Sequence, residues 1–220
     1  MKSVKYIVNP QIEDYLEKLF PPDEGVIGEM QRKAYETGMP IIGRMVGNYL
    51  CQLAIISNSV KFFEMGSGFG YSALWFAKAA GETGRIVCTD YSAENRQMAL
   101  DYFKRARLKT DIEFLVGDSL ELLEQSSEKY DIIFNDIDKE GYPDVIDIAY
   151  ERLNQGGLLI TDNVLWHGRV IGEDDLPSTH GVKRYNELIM RKDGFYTTIV
   201  PLRDGLSVSV KTGRKSNESS

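Results

Sequence analysis

Hydrophobic and polar positions divide this chain into a helical first third and an alternating remainder. "NPQIEDYLEKLF" gathers its apolar residues on one helical face, and Pro21-Pro22 ends it. "DEGVIGEMQRKAYETG" follows, with Asp23 a candidate cap and Gly38 a stop; "PIIGRMVGNYLCQLAII" is a third helix. Beyond it, the short apolar runs "VKFFEM", "GRIVCTD", "IEFLVGD", "YDIIFND" and "GGLLITDN" read as strands. Helical stretches fall between them at Tyr71–Ala80, Ala93–Ala106, Ser119–Gln125 and Pro143–Leu153. Strand alternating with helix predicts an α/β fold: a mostly parallel sheet with helices on both faces. The end differs. A helix "HGVKRYNELIMRK" precedes "GFYTTIVPL" and "GLSVSVK", which read as antiparallel strands joined tightly around Arg203-Asp204-Gly205. There is no internal repeat and no long linker.

Composition narrows the picture a little. The 220 residues suffice for one well-buried α/β domain, and an apolar content of 42% is ordinary. A net charge of −7 advertises no broad basic surface for nucleic acid. Cys51 and Cys88 lie far apart in apolar segments, as small buried hydrophobes of a reducing compartment do. The N-terminal stretch has no long apolar core and no run approaches membrane length, so the expectation is a cytoplasmic protein without a membrane partner. The tail "KTGRKSNESS" is polar and predicted to be frayed.

In open α/β sheets ligands bind outside the carboxyl ends of the strands, so the residues just after each strand carry the chemistry. After the first comes "EMGSGFGYS", whose Gly66, Gly68 and Gly70 allow a tight turn and close approach to a ligand. The second strand ends at Asp90, where a carboxylate can accept from ribose hydroxyls. Together these favour a nucleoside cofactor over a plain glycine-rich turn. The spacing is G-x-G-x-G rather than the G-x-G-x-x-G of a pyrophosphate cradle. That resembles the first motif of class I methyltransferases, whose S-adenosylmethionine has no phosphates; a nicotinamide dehydrogenase is the rival. The third strand runs into "VGDS", where Asp118 and Ser119 either meet an adenine edge or, for Asp118, cap the next helix.

"YDIIFNDIDKEGYPD" raises the sharpest question, because an apolar strand empties into Asp136, Asp138, Lys139 and Glu140. The fifth strand likewise ends in Asp162 and Asn163. If these strands are neighbours, their ends lie about 5 Å apart and three oxygen ligands converge. Oxygen-only ligation suits Mg²⁺ first, or Ca²⁺ or Mn²⁺, rather than zinc. Capping and loop hydration is the alternative for any one of these aspartates.

"FNDIDKEGY" with "ITDNVLWHG" resembles the cation-dependent O-methyltransferases, the group of catechol and caffeoyl-CoA O-methyltransferases. The resemblance runs from about Pro40 to Lys211 and includes "FEMGSGFGYSAL", "VGDSLELL" and "YNELIMRKDGFYTTIVPLRDGLSVSVK". The last segment and "ITDNVLWHG" look most like the bacterial branch that contains a tRNA 5-hydroxyuridine methyltransferase. The resemblance implies a Rossmann-like class I fold, with a seven-stranded mostly parallel sheet and an antiparallel C-terminal strand. It implies a helical extension over residues 1–39, a methyltransferase domain over 40–211 and a disordered tail over 212–220. It implies a metal on Asp136, Asp162 and Asn163, with Lys139 as base and Asp136 beside it as catalytic residues. S-Adenosylmethionine would meet Glu64, Gly66, Ser67, Ser72, Asp90, Asp118, Ser119 and Asp136, with Met39 and Asp138 flanking. Two positions depart from the family pattern: Asn135, where a hydrophobic residue is usual, and Ile137, where a small one is. Strand alternation should turn Asn135 away from the metal.

The implied chemistry is methyl transfer from a sulfonium to an oxygen nucleophile. A metal lowers the pKa of the bound hydroxyl and positions it, and the nearby cation favours a neutral lysine able to take the proton. Chelation selects an acceptor with two adjacent oxygens, such as a catechol or 5-hydroxyuridine. The leading expectation is therefore an O-methyltransferase acting on a small hydroxylated aromatic compound, as a homodimer. A tRNA methyltransferase is the second reading; "KRARLK" could touch phosphate, although a solvated helix face also explains it. A non-catalytic S-adenosylmethionine-binding module is the third. Trp166 and His167 either flank the acceptor or pack. His167 and His180 are the only histidines, too few for a zinc site without nearby cysteine.

Overall fold

The structure, a computed structural model, describes residues 7–213. Three helices open it: α1 (Pro10–Leu19), α2 (Gly25–Thr37) and α3 (Gly43–Ile56). Asn9 caps α1 through its side chain, and Pro10 occupies the first turn, where a missing N–H costs nothing. α2 ends on Gly38 in the left-handed conformation, as its sequence predicts. Asp23 does not cap it. The N-cap is Glu24, without a side-chain bond, and the Asp23 carboxylate instead pairs with Arg44 at 2.8 Å. A guanidinium on α3 outcompetes a backbone N–H for that carboxylate.

The alternating region forms β1 (Lys61–Met65), α4 (Tyr71–Ala80), β2 (Arg85–Asp90), α5 (Ala93–Ala106), β3 (Asp111–Val116), α6 (Ser119–Gln125), β4 (Tyr130–Asn135), α7 (Tyr142–Arg152) and β5 (Leu153–Thr161). Then come α8 (Pro177–Ile189), β6 (Phe195–Val200) and β7 (Leu206–Lys211). α8 starts at Pro177, ahead of the expected "HGVKRY" start, because proline's fixed φ suits the first turn. The seven strands make one sheet in the order β3-β2-β1-β4-β5-β7-β6. β1 to β5 pair in parallel, and β7 runs antiparallel between β5 and β6. This is the expected Rossmann-like architecture.

Strand alternation divides the core into two. Phe62 points into one cluster with α2, α3 and α4 residues such as Met30, Leu50 and Phe76. Phe63, its neighbour, points into the other with Tyr142, Val145 and Tyr185 of α7 and α8. Burial on both faces explains why the parallel strands read as unbroken apolar runs. α2 contributes Ile27, Met30 and Ala34 to the first core, whereas α1 buries no residue. No helix among the described residues is long and apolar enough to cross a membrane.

Strand order reverses direction between β1 and β4. At such a switch point the connections leave to opposite sides, and a crevice opens beyond the strand ends. Gly66 follows β1 and Asp136 follows β4, so both loops meet there.

Candidate functional site

A cavity of about 710 Å³ opens at this point. Its floor is the glycine loop. Gly66 has φ 80°, and a Cβ placed on it would fall 2.4 Å from the Asp136 carbonyl oxygen. Only glycine lets the two loops approach this closely. Gly66, Ser67 and Ser72 line the cavity on the loop side, with Met39 across from them. The Ser67 hydroxyl accepts from the Thr89 N–H, and Thr89 in turn donates to the Ser119 hydroxyl at 2.7 Å. Ser119 lines the cavity too. This chain of hydroxyls ties the ends of β1 and β2 to the start of α6.

Asp90, at the end of β2, also lines the cavity. One of its oxygens accepts from the Gly68 N–H at 2.9 Å; the other accepts from the Ser92 N–H and the Asn95 side chain. Its carboxylate is thus held in place on the cavity wall. Asp118 does not line the cavity. Its carboxylate caps α6 through the Leu120 and Glu121 N–H groups and accepts from the Tyr91 hydroxyl, and Tyr91 is the lining residue. That contact draws the Asp118 pKa below its ordinary value.

Glu64 lies under the loop, with 0% exposure, and does not line the cavity either. Burial pushes its pKa up to about 7, although Ser72, Ser67 and Cys88 stand near enough to counteract part of that. Neither carboxylate oxygen has a hydrogen-bond partner in the structure. An orphaned buried carboxylate costs free energy, and a cationic ligand group would relieve it.

The acidic end of the cavity is built by the neighbouring strands β4 and β5. Asp136, Asp138, Lys139 and Asn163 line it; Asp162 is 1% exposed and does not. Burial raises the pKa of Asp136, opposed first by Lys139. Burial, and then the charge of Asp136, push Asp162 up to about 7. Asp162 accepts from the Asn163 N–H at 2.8 Å, and Asn163 holds a left-handed φ of 57°. Lys139 donates to Asp136 at 2.9 Å and to the Ile137 carbonyl, with its ammonium near the rings of Tyr142 and Trp166. Gly181 of α8 backs this segment: a Cβ there would meet the Lys139 carbonyl at 2.2 Å. Asn135 turns away as alternation requires, fully buried beside Thr161.

A buried carboxylate (Asp162), a half-buried one (Asp136) and an amide oxygen donor, with no sulfur or imidazole among them, fit a hard divalent cation. Among the described residues no three His, Cys, Asp or Glu side chains converge, so Asn163 is needed to complete such a set.

Several lining residues have no counterpart among those singled out by sequence. Tyr91 and Asn95 lie beside Asp90, and Ser178 opens α8. Trp166 and His167, which the sequence did single out, line the cavity with stacked rings, centroids 5.4 Å apart. Arg203, from the β6–β7 turn, lines it as well. Its neighbour Asp204 clamps that turn to the loop after β5. The Asp204 carboxylate accepts from the His167 N–H at 2.5 Å, its carbonyl accepts from Leu165, and Gly205 accepts from Val164. No strand-end rule could have pointed to Arg203, because a distant turn brings it in, whereas Tyr91 directly follows β2 and lies within that rule.

The O-methyltransferase family model matches residues 23–212. A catechol O-methyltransferase of Niastella koreensis is 26% identical over 90% of this chain and 96% of its own length. A caffeoyl-CoA O-methyltransferase of Populus trichocarpa is 34% identical over 66% of this chain, a match that spans 61% of the poplar protein. Among solved structures, an O-methyltransferase from Bacillus cereus in complex with SAH superposes with a TM-score of 0.82. It is 26% identical, covering 91% of this chain and 97% of that one.

Proposed function

The chain belongs to the O-methyltransferase family, and on that premise we propose that it methylates a hydroxyl of a small aromatic acceptor with two adjacent oxygens. The observation that carries the reading is the meeting of Asp136, Lys139 and Asn163 with the glycine loop in one cavity. S-Adenosylmethionine supplies an electrophilic sulfonium methyl. Gly66, Ser67, Ser72, Asp90 and Ser119 hold the cofactor; Asp90 accepts from ribose hydroxyls, and Met39 and Asp138 flank it. The buried Glu64 carboxylate favours the cofactor's cationic methionyl end, and Tyr91, fixed by Asp118, covers its base.

A divalent cation on Asp136, Asp162 and Asn163, Mg²⁺ first, supplies Lewis acidity to the acceptor's vicinal oxygens. Lys139 holds and moves the acceptor proton beside Asp136. Trp166 and His167 flank the ring and exclude water from that end. Orientation of this kind can contribute on the order of 7–11 kcal/mol at best. A tRNA acceptor would have to approach a chain of net charge −7, which is why the small-molecule reading is preferred. We further propose residues 1–39 as an extension to a catalytic domain over 40–211, and a cytoplasmic homodimer; residues 214–220 of the tail lie outside the described residues.

The test is methyl transfer from labelled cofactor to a catechol panel and to tRNA bearing 5-hydroxyuridine, with Mg²⁺ or EDTA. Catechol methylation abolished by EDTA and by Asp162→Ala or Asn163→Ala, with cofactor affinity nearly intact, is expected. Full turnover in EDTA would sink the metal assignment, and labelling of tRNA alone would replace the acceptor.

A further inference from the structure

Arg203 is an unusual residue for its place. Its φ of 53° is a left-handed conformation that a long side chain rarely adopts. It is exposed and lines the cavity together with Asp136, Lys139 and Asn163. Its turn therefore borders the end of the cavity that Asn163, Trp166 and His167 line. Yet neither carboxylate bonds to it: Asp136 Oδ1 is taken by Lys139 and Asp162 Oδ1 by the Asn163 N–H. Among the described residues no hydrogen bond or ion pair to Arg203 is seen, whereas Lys139, the other lining cation, already has acceptors. The Asp204 clamp fixes the turn against the loop of Asn163, so the position of Arg203 relative to that end is set by the fold.

We infer that Arg203 is a specificity determinant that selects acceptors carrying a carboxylate on the aromatic ring or on a short side chain. The inference rests on the proposed function and deepens it. A planar fork of N–H donors matches a carboxylate in two-pronged fashion. Its place in the same cavity wall, on a turn clamped to the Asn163 loop, sets the reach: the anionic group sits within a few bonds of the methylated hydroxyl, not at the end of a long chain. The acidic neighbours Asp136, Asp162 and Glu17 do not supply that partner: Lys139 pairs with the first, the Asn163 N–H donates to the second, and Arg44 faces the third.

The experiment compares catechol with 3,4-dihydroxybenzoate, which share the reacting hydroxyls and differ in the carboxylate. The native chain should prefer the carboxylated probe in kcat/KM. Arg203→Gln should lower that preference ratio by about 10- to 100-fold, the usual worth of a charged hydrogen bond. Arg203→Gly, which suits the left-handed backbone and protects folding, should do the same, and Arg203→Lys should keep part of the preference. Calorimetry of 3,4-dihydroxybenzoate with S-adenosylhomocysteine and Mg²⁺ present should show the same loss of affinity. An unchanged ratio in both neutral variants, with catechol still methylated, would overturn the role of Arg203 alone. Methylation and binding of neither probe by the native chain would overturn the reading beneath it.

Discussion

Glu64 is the residue on which cofactor and stability meet. Its carboxyl carries a folded pKa near 7 against an ordinary 4.5, with burial the main cause. The native state then binds more protons than the unfolded chain between those values, so stability falls as pH rises from about 4.5 to 7. The loss from this group is on the order of 3 kcal/mol. Glu64→Gln should flatten the fall in Tm over pH 5–7 and weaken S-adenosylhomocysteine binding; parallel Tm curves for variant and native chain would refute the account. Residues of this kind were legible where one rule sufficed. Asp90, Asp136, Asp162 and Asn163 stand just after strands, and a sheet edge is a one-dimensional feature. Arg203 and Asp204 were not, because their approach depends on how a separate turn folds over the crevice.

At the scale of elements, punctuation decided what could be read. Helices bounded by proline or glycine, α1 and α2 above all, end where the pattern says. Asp23 misled because its partner, Arg44, lies on another helix. The glycine loop shows the opposite case, a local signal with a tertiary cause. Its first glycine is needed for contact with the loop after β4 as much as for its own turn. Gly66→Ala must therefore push β1's loop from Asp136. The expected result is a lower Tm, at least a tenfold loss of cofactor affinity by calorimetry (a loss of about 1.4 kcal/mol) and an unchanged far-ultraviolet spectrum. Native affinity in that variant would mean that the contact yields freely.

For the whole molecule, the first and third helices each present exposed apolar side chains. Ile12, Tyr15 and Leu19 of α1 and Ile55 and Ile56 of α3 are each at least half exposed. A groove between them is lined by Leu16, Phe20, Tyr49 and Leu202. Contiguous apolar surface of this kind is usually covered. Light scattering should give about twice the chain mass of 24.9 kDa, and Ile55→Lys with Ile56→Lys should return the single-chain mass. A single-chain mass for the native protein across micromolar concentrations would refute the homodimer. Sequence periodicity revealed these helices but not which of their faces the core leaves bare.

The placement of β7 has a consequence for how the chain is made. β5 finds its outer neighbour, and the edge strand β6 its only neighbour, in β7, which is the last of the three to leave the ribosome. Until it arrives, the apolar edge of β5 is an open template for pairing with any passing strand. At roughly 5–20 residues per second that exposure lasts seconds. The same late strand follows the turn that carries Arg203 and Asp204, so that side of the cavity closes only once the sheet is sealed. A chain ending before Leu206 should therefore aggregate and lack activity, since β5 keeps an open edge and the turn of Arg203 and Asp204 loses the strand that follows it.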